Sequence, residues 1–230
     1  LSGSASAQLT KGLLEAASDE ETANSGTDDD RFVRCSTSKG DFEVELFPEQ
    51  SPNGCRQFLN MVRAGFFDQG IAFFRVNKVA IQLGADQQKR SNDPFQSLRQ
   101  PWDIDPNPYH DPNIPKEESA KIRSLHPWTR GTIAMIGGLQ MVITRVSGGH
   151  PMGTAPQDSP LGRIVGDGME RVLDHLYDGY GNAIDTKGQG PDQIKIFEEG
   201  MEYIRREFPK TDYISHCEVI QSPSSNTKKI

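Results

Sequence analysis

The sequence predicts a mainly β domain in which a barrel of short antiparallel strands is closed by helices. Short runs of β-branched and aromatic residues recur along the chain and are separated by turns rich in Gly, Asn and Pro. A few longer segments repeat their apolar residues at helical spacing, and the first of these follows the opening strand pair. Many strands with only two or three helices favour a β-barrel.

The opening strand pair is a β-hairpin. FVRCS and DFEVELF flank the turn sequence TSKG, and within residues 42–46 apolar residues alternate with acids. This alternation is typical of a half-buried antiparallel strand. A helix is expected next, because Pro52 suits a first helical position and Gly65 can end the helix.

The stretch IAFFRVNKVAIQLGAD predicts two apolar strands, residues 71–76 and 79–83, joined by a polar turn. Arg75 and Gln82 lie inside these strands, where burial without hydrogen-bond partners is costly. Two interpretations stay open. Arg75 could face outward on a half-exposed strand, or Arg75 and Gln82 could converge on a concave surface that holds a polar ligand.

Residues 87–130 have no regular periodicity and hold seven of the fifteen prolines and both tryptophans. We expect a Pro/Trp-rich insertion without regular structure that is pinned by its aromatic residues. His110 lies among aspartates, but no second histidine follows at ligand spacing, so no metal site is predicted.

The residue pattern of the remaining domain predicts more strands and two helices. Strands are expected at 131–138, 139–146, 161–166 and 212–220. One helix is expected around Met169 to Leu176, and a second long helix is expected to begin at Pro191.

Charge divides the chain into a domain and its appendages. The formal net charge is −7, and residues 1–30 hold seven acids and one base, which leaves −1 for the other 200 residues. We predict an acidic, mostly disordered segment at 1–30, a domain at 31–222 and a polar tail at 223–230. The sequence has no basic patch of the kind that nucleic-acid binding requires.

The sequence leaves the compartment unknown. No apolar run reaches the roughly 18 residues of a membrane helix, so no membrane span is predicted. Residues 1–8 do not form a signal peptide. A targeting segment removed before residue 1 would be invisible, so an organelle or secretory-pathway lumen is an open option.

Several segments together resemble a cyclophilin over roughly residues 31–222. They are KGDFEVELFPEQSPNGCRQFLNMVRAGFFD, FFRV with IQLGAD, RGTIAMIGG, LQMVI and LGRIVGDGMERVLD, in the family's order. GPDQIKIFEEGMEYIRREFPKTDYI resembles the C-terminal extension of a divergent, bacterial-like subgroup. The resemblance implies a closed, eight-stranded antiparallel β-barrel capped by helices, with the active face outside the barrel.

The resemblance also implies peptidyl-prolyl cis-trans isomerase activity on X-Pro bonds of protein or peptide clients, without a cofactor. It places Arg75 as the donor to the prolyl nitrogen of the twisted bond, and Gln82 as a second catalytic residue that holds a substrate carbonyl. Gln140 would help to support Arg75. The expected substrate-binding positions are Phe74, Val79, Ala80, Gln140 and Val142.

Departures from the family pattern predict weak activity. FFRVNKVAIQLGA is one residue shorter than the corresponding family stretch, and Val79 and Ala80 stand where the family has an aromatic residue and a methionine. Val142 replaces a second aromatic residue of the proline pocket. The alternative is a catalytically inactive interaction or scaffold subunit that joins a larger assembly through residues 87–130.

The chain has three cysteines, Cys35, Cys55 and Cys217, without paired C-x-x-C spacing. In the family's fold the first and last strands are neighbours, so Cys35 and Cys217 would lie within disulfide range. Two buried thiols are the expected outcome. A bridge is the alternative, and it would imply an oxidising compartment.

Overall fold

The computed structural model describes residues 30–84, 95, 98, 115–125, 128–137, 139–147, 159–183 and 188–223. All structural statements concern these residues. The acidic segment up to residue 29, His110 and the end of the polar tail lie outside them, so those predictions stay predictions.

The domain is built on one antiparallel sheet of nine strands. The strands are β1 Phe32–Thr37, β2 Gly40–Leu46, β3 Ile71–Ala72, β4 Arg75–Val76, β5 Ala80–Leu83, β6 Thr132–Gly137, β7 Gln140–Thr144, β8 Ser159–Val165 and β9 Tyr213–Ile220. Their order in the sheet is β3-β9-β1-β2-β8-β6-β7-β5-β4. The predicted mainly β class with capping helices is confirmed.

The sheet is not the closed eight-stranded barrel that we expected. Its ladder order is open, and its two edge strands, β3 and β4, are consecutive parts of the predicted strand 71–76. Phe73 and Phe74 separate them, so that β3 pairs with β9 at one edge while β4 pairs with β5 at the other. The sheet is therefore curled, and its two edges are connected by the short segment of Phe73 and Phe74.

The first and last strands lie side by side, and a disulfide joins them. Cys35 in β1 is directly opposite Cys217 in β9, with their Cα atoms 4.1 Å apart. The expectation of two buried thiols is therefore wrong, because antiparallel register places the two Cβ atoms on the same face. Cys55 is buried elsewhere, and its thiol donates to the carbonyl of Leu161 at 3.2 Å.

The first helix, α1 Pro52–Arg63, follows the hairpin as predicted and buries one face. The insertion contains a helix that we did not expect, α2 Lys116–Leu125. Two glutamates in its first turn complement the positive end of the helix dipole, a signal that outweighs its lack of an apolar stripe. Phe95 of the insertion packs edge-on against Phe66.

The C-terminal helices are shorter than predicted. The expected helix after β8 is a single turn, α3 Gly168–Arg171, followed by a 3₁₀ turn at Leu173–His175. The expected long helix is divided into α4 Gln193–Glu199 and α5 Met201–Glu207. Gly200 divides it, because its φ of 67° lies outside the right-handed helical region. No helix within the described ranges is long and apolar enough to cross a membrane.

Buried side chains form a large core between the curled sheet and α1, and a second cluster beside it. We call the second group the outer cluster. It consists of Ala72, Phe74, Ala183, Ile196, Met201, Tyr203 and Ile204, with Phe208 packed against it. The outer cluster ties the segment between β3 and β4 to the C-terminal helices.

Candidate active site

Arg75 is held from two sides in a half-buried position. In the β4–β5 ladder it lies directly opposite Gln82, whose Oε1 accepts from Arg75 Nη1 at 3.4 Å. Asn182 Oδ1 accepts from Arg75 Nε at 3.1 Å. The side chains of Arg75 and Gln82 therefore converge.

The glutamines continue this contact as a chain of side-chain amides. Gln82 Nε2 donates to Gln140 Oε1 at 2.8 Å, and Gln140 Nε2 donates to Gln193 Oε1 at 3.1 Å. A guanidinium can only donate, so Arg75 obliges Gln82 to present its oxygen, and each later amide must take the same orientation. Arg75, Gln82 and Gln140, which we call the polar row, thus form a directed network.

Asn182 also organises the turn after Arg75. Its Oδ1 accepts a second bond from Asn77 Nδ2 at 2.7 Å. Asn77 Oδ1 in turn accepts from the backbone N–H groups of Val79 at 2.8 Å and Ala80 at 2.9 Å. Asparagine commonly closes turns in this way. One amide oxygen therefore connects the guanidinium to the turn that precedes β5.

Backbone contacts hold Asn182 in place. Its carbonyl accepts from the N–H of Gly190 at 2.8 Å. The next residue, Ala183, is fully buried in the outer cluster together with Phe74, the residue before Arg75. Arg75 and Asn182 are thus each adjacent to a residue of the same packed cluster, which fixes the position of both partners.

An apolar patch adjoins the polar row on the same face of the sheet. Gln82 is opposite Val142 in the β5–β7 ladder, and Val142 is opposite Ala134 in the β7–β6 ladder. Ala80, two residues before Gln82, shares this face. Ala80, Ala134 and Val142 form one buried cluster, the apolar patch, with Trp128 and Ile136 packed against it.

Most of the predicted site residues meet on this face, and two do not. Phe74 is 1% exposed in the outer cluster, where it cannot reach a substrate. Phe74 lies in the connection between β3 and β4, outside both strands, so strand alternation does not set its direction. Val79 is half-buried in the turn and contributes its backbone carbonyl to the N–H of Arg145 at 2.8 Å.

Sequence patterns missed Asn77, Asn182 and Gln193. Gln193 lies in the C-terminal extension and Asn182 lies in the loop before it, and they meet their partners across 53 and 107 residues. The resemblance of that extension to a divergent subgroup identified only the segment that holds Gln193. Nothing in the sequence pattern indicated the contact of Asn182 with Arg75.

A cluster of charged side chains lies next to the turn that precedes β5. Arg130 bonds both carboxylate oxygens of Asp174, one of them at 3.1 Å. These hydrogen bonds hold the pKa of Asp174 below its ordinary value, and the same contact raises the pKa of Arg130. Arg145 forms an ion pair with Asp174 at 3.6 Å and donates to the carbonyl of Asn77 at 2.9 Å. The cluster thus connects the turn before β5 to the 3₁₀ turn.

Within the described residues, no group of three His, Cys, Asp or Glu side chains could hold a metal ion. The groups that the structure describes on this face are a fixed guanidinium, side-chain amides and an apolar cluster. Such a set can orient a peptide carbonyl and donate a hydrogen bond to a nitrogen.

Sequence comparisons find similarity to peptidyl-prolyl cis-trans isomerases. The family model described as "Cyclophilin type peptidyl-prolyl cis-trans isomerase/CLD" matches residues 32–140. Peptidyl-prolyl cis-trans isomerase CYP18-2 of Arabidopsis thaliana is 41% identical over 54 residues, which are 24% of this chain and 32% of that protein. The match thus spans about a third of the length of this curated relative.

Solved cyclophilin structures are similar over most of the chain at low identity. A cyclophilin-type isomerase from Cryptosporidium parvum has a TM-score of 0.49 and 19% identity, and the alignment covers 84% of this chain and 99% of that one. The cyclophilin AquaCyp293 from Hirschia baltica has a TM-score of 0.49 and 17% identity, with 86% and 77% covered.

Proposed function

We propose that this chain, a divergent member of the cyclophilin family, catalyses cis-trans isomerisation of X-Pro bonds in protein clients. The observation that carries the proposal is the fixation of Arg75 by Gln82 and Asn182 beside an apolar patch. A prolyl peptide offers groups that match these features, namely a carbonyl, a tertiary amide nitrogen and an apolar ring.

The chemistry requires one well-placed donor. Rotation about an X-Pro bond must break amide resonance, with a barrier of roughly 18–20 kcal/mol. In the twisted state the prolyl nitrogen regains a lone pair and accepts a hydrogen bond, which neither planar isomer can do. Arg75 uses one Nε–H and one Nη1–H within the described residues, so other N–H groups of its fork can turn to the substrate.

The expected rate enhancement is modest. One preorganised donor supplies about 3–4 kcal/mol, or on the order of 10²–10³ in rate. An enhancement of about 10⁵ would need about 7 kcal/mol, and the remainder would have to come from a dry proline pocket. Ala80 and Val142 provide little depth for such a pocket. We therefore propose a slow isomerase.

NMR exchange spectroscopy on an Ala-Pro tetrapeptide tests this function. Catalytic amounts of the protein should accelerate exchange between the cis and trans signals, and Arg75→Ala should remove most of the acceleration. Arg205→Ala is a matched control, because Arg205 is an exposed arginine on α5. Background exchange with the parent protein, indistinguishable from Arg75→Ala, would contradict the proposal.

A catalytically inactive interaction subunit is the second candidate function, favoured by the small side chains of the apolar patch. It would join a larger assembly through residues 87–130. Stable co-purification from the native source, together with peptide exchange at the background rate, supports this candidate. A monomer at high dilution argues against it.

The Cys35–Cys217 disulfide supports an oxidising compartment, such as an organelle or secretory-pathway lumen. Denaturation of the native protein without reductant should then release one titratable thiol from its three cysteines. Three titratable thiols would contradict this localisation.

A further inference from the structure

One lateral row of the sheet crosses from polar to apolar side chains. Arg75, Gln82, Val142 and Ala134 are successive cross-strand partners on β4, β5, β7 and β6. Directly opposite residues present their side chains to the same face. A substrate bound to Arg75 and Gln82 would therefore extend its next group toward the side chains that cover Val142 and Ala134.

The apolar patch is covered. Ala134 and Val142 are 0% exposed and Ala80 is 6% exposed, so these side chains cannot themselves contact a substrate. Trp128 packs against the patch and is itself only partly buried, so it can offer a ligand the apolar surface that the patch cannot. An indole is the largest side chain, and it brings a rigid apolar face with two rotatable bonds.

The backbone beside Trp128 is fixed. The N–H of Thr129 donates to Thr132 Oγ1 at 3.0 Å, at the start of β6. The Arg130 guanidinium donates to the carbonyl of Arg145 at 3.0 Å and pairs with Asp174. Trp128 therefore stands next to an anchored turn, so little conformational entropy would be lost when a ligand packs on its indole.

We infer that Trp128, contributed by the end of the insertion, is the wall that the prolyl ring of the substrate contacts. This inference rests on the proposed isomerase function and makes Trp128 a specificity-determining residue of the same site. The large side chain that the sheet itself lacks is supplied by a neighbouring segment.

Steady-state kinetics on an Ala-Pro tetrapeptide tests this role. Trp128→Ala should lower kcat/KM about tenfold through a higher KM, as expected for the loss of about 60 Å² of apolar contact with the ring. Trp128→Phe keeps an aromatic wall and should stay within about threefold of the parent. Tyr213→Ala, which removes an exposed aromatic side chain on β9, should leave both constants unchanged.

A binding measurement keeps the test independent of catalysis and of folding. The chain has two tryptophans, so in a Trp102→Phe protein the emission reports Trp128 alone. Titration with the Ala-Pro tetrapeptide should change this emission, with the same midpoint as peptide-induced NMR shifts. The corresponding Ala-Ala tetrapeptide should bind more weakly.

The outcomes separate the two proposals. If the parent protein does not accelerate exchange but Trp128 emission responds to the Ala-Pro peptide, the proposed isomerase function is wrong and the proposed contact of Trp128 with the prolyl ring is supported. If the parent is active but Trp128→Ala has an unchanged or higher kcat/KM, the wall is wrong. Peptide binding without any change in emission overturns it as well.

Discussion

The two halves of the active face are built by different means. The polar row consists of Arg75 and Gln82, which are directly opposite each other on β4 and β5, and Gln140 on β7, and hydrogen bonds join the three side chains. The apolar patch consists of Ala80, Ala134 and Val142, whose side chains are small and which is completed by Trp128 from another segment. The position of the hydrogen-bond donor Arg75 therefore depends on the sheet, whereas the apolar surface beside it depends on the segment that packs against the sheet.

The largest expected effect concerns the fixation of the polar row. Asn182→Leu removes the acceptor of Arg75 Nε while it preserves side-chain size. Because hydrogen bonds to charged groups contribute about 1.5–3 kcal/mol, we expect kcat to fall roughly 10- to 100-fold with little change in KM. Peptide exchange kinetics measure this, and the exchange rate of the Arg75 Nε–H signal should rise in parallel.

Two variants control the Asn182 prediction. Asn182→Asp keeps an oxygen that accepts both bonds and should stay within about threefold of the parent. Gln189→Ala removes an exposed amide from the same loop and should have no effect. Equal losses in Asn182→Leu and Asn182→Asp would show that the loop, and not the acceptor, supports Arg75.

The second effect tests whether Trp128 and the apolar patch share one volume. Val142→Phe should destabilise the parent by about 1–3 kcal/mol, because a larger ring in a packed site forces strain. The same substitution in a Trp128→Ala background should cost less and restore part of kcat/KM. Urea unfolding of the four proteins of this double-mutant cycle measures the coupling. Additive effects would mean that the two side chains do not meet.

The smallest effect concerns the charged cluster behind the face. Arg130 lowers the pKa of Asp174 in the folded state, relative to an unfolded-state pKa near 3.8. The ion pair therefore stabilises the fold at pH values above the unfolded-state pKa. This stabilisation is lost as the pH falls through the lower folded-state pKa. Asp174→Asn should cost less than about 1 kcal/mol at pH 7, because ion pairs open to solvent contribute little. The difference from the parent should shrink between pH 5 and pH 3.

Urea unfolding of Asp174→Asn and the parent at both ends of this range checks the pH prediction. Glu198→Gln, which neutralises an exposed carboxylate on α4, provides the comparison. A difference that grows as the pH falls would contradict the assigned sign.

Several features of the fold could be predicted because they depend on neighbours in sequence. Alternation identified the β1–β2 hairpin, and helix-start chemistry identified α1 at Pro52. The burial of Phe74 was not predicted, because the resemblance indicated substrate contact and the break between β3 and β4 is not visible in the strand pattern. Helix α2 was missed because its apolar residues are too few to form a stripe.

The β class and the strands that carry Arg75, Gln82 and Gln140 could be inferred from residue pattern alone. The Cys35–Cys217 pairing across 182 residues, the contact of Asn182 with Arg75 and the packing of Trp128 on the patch became visible only in the folded chain. Periodicity reports the face on which a side chain lies. Long-range partners depend instead on how loops close around the sheet, and local pattern does not encode that closure.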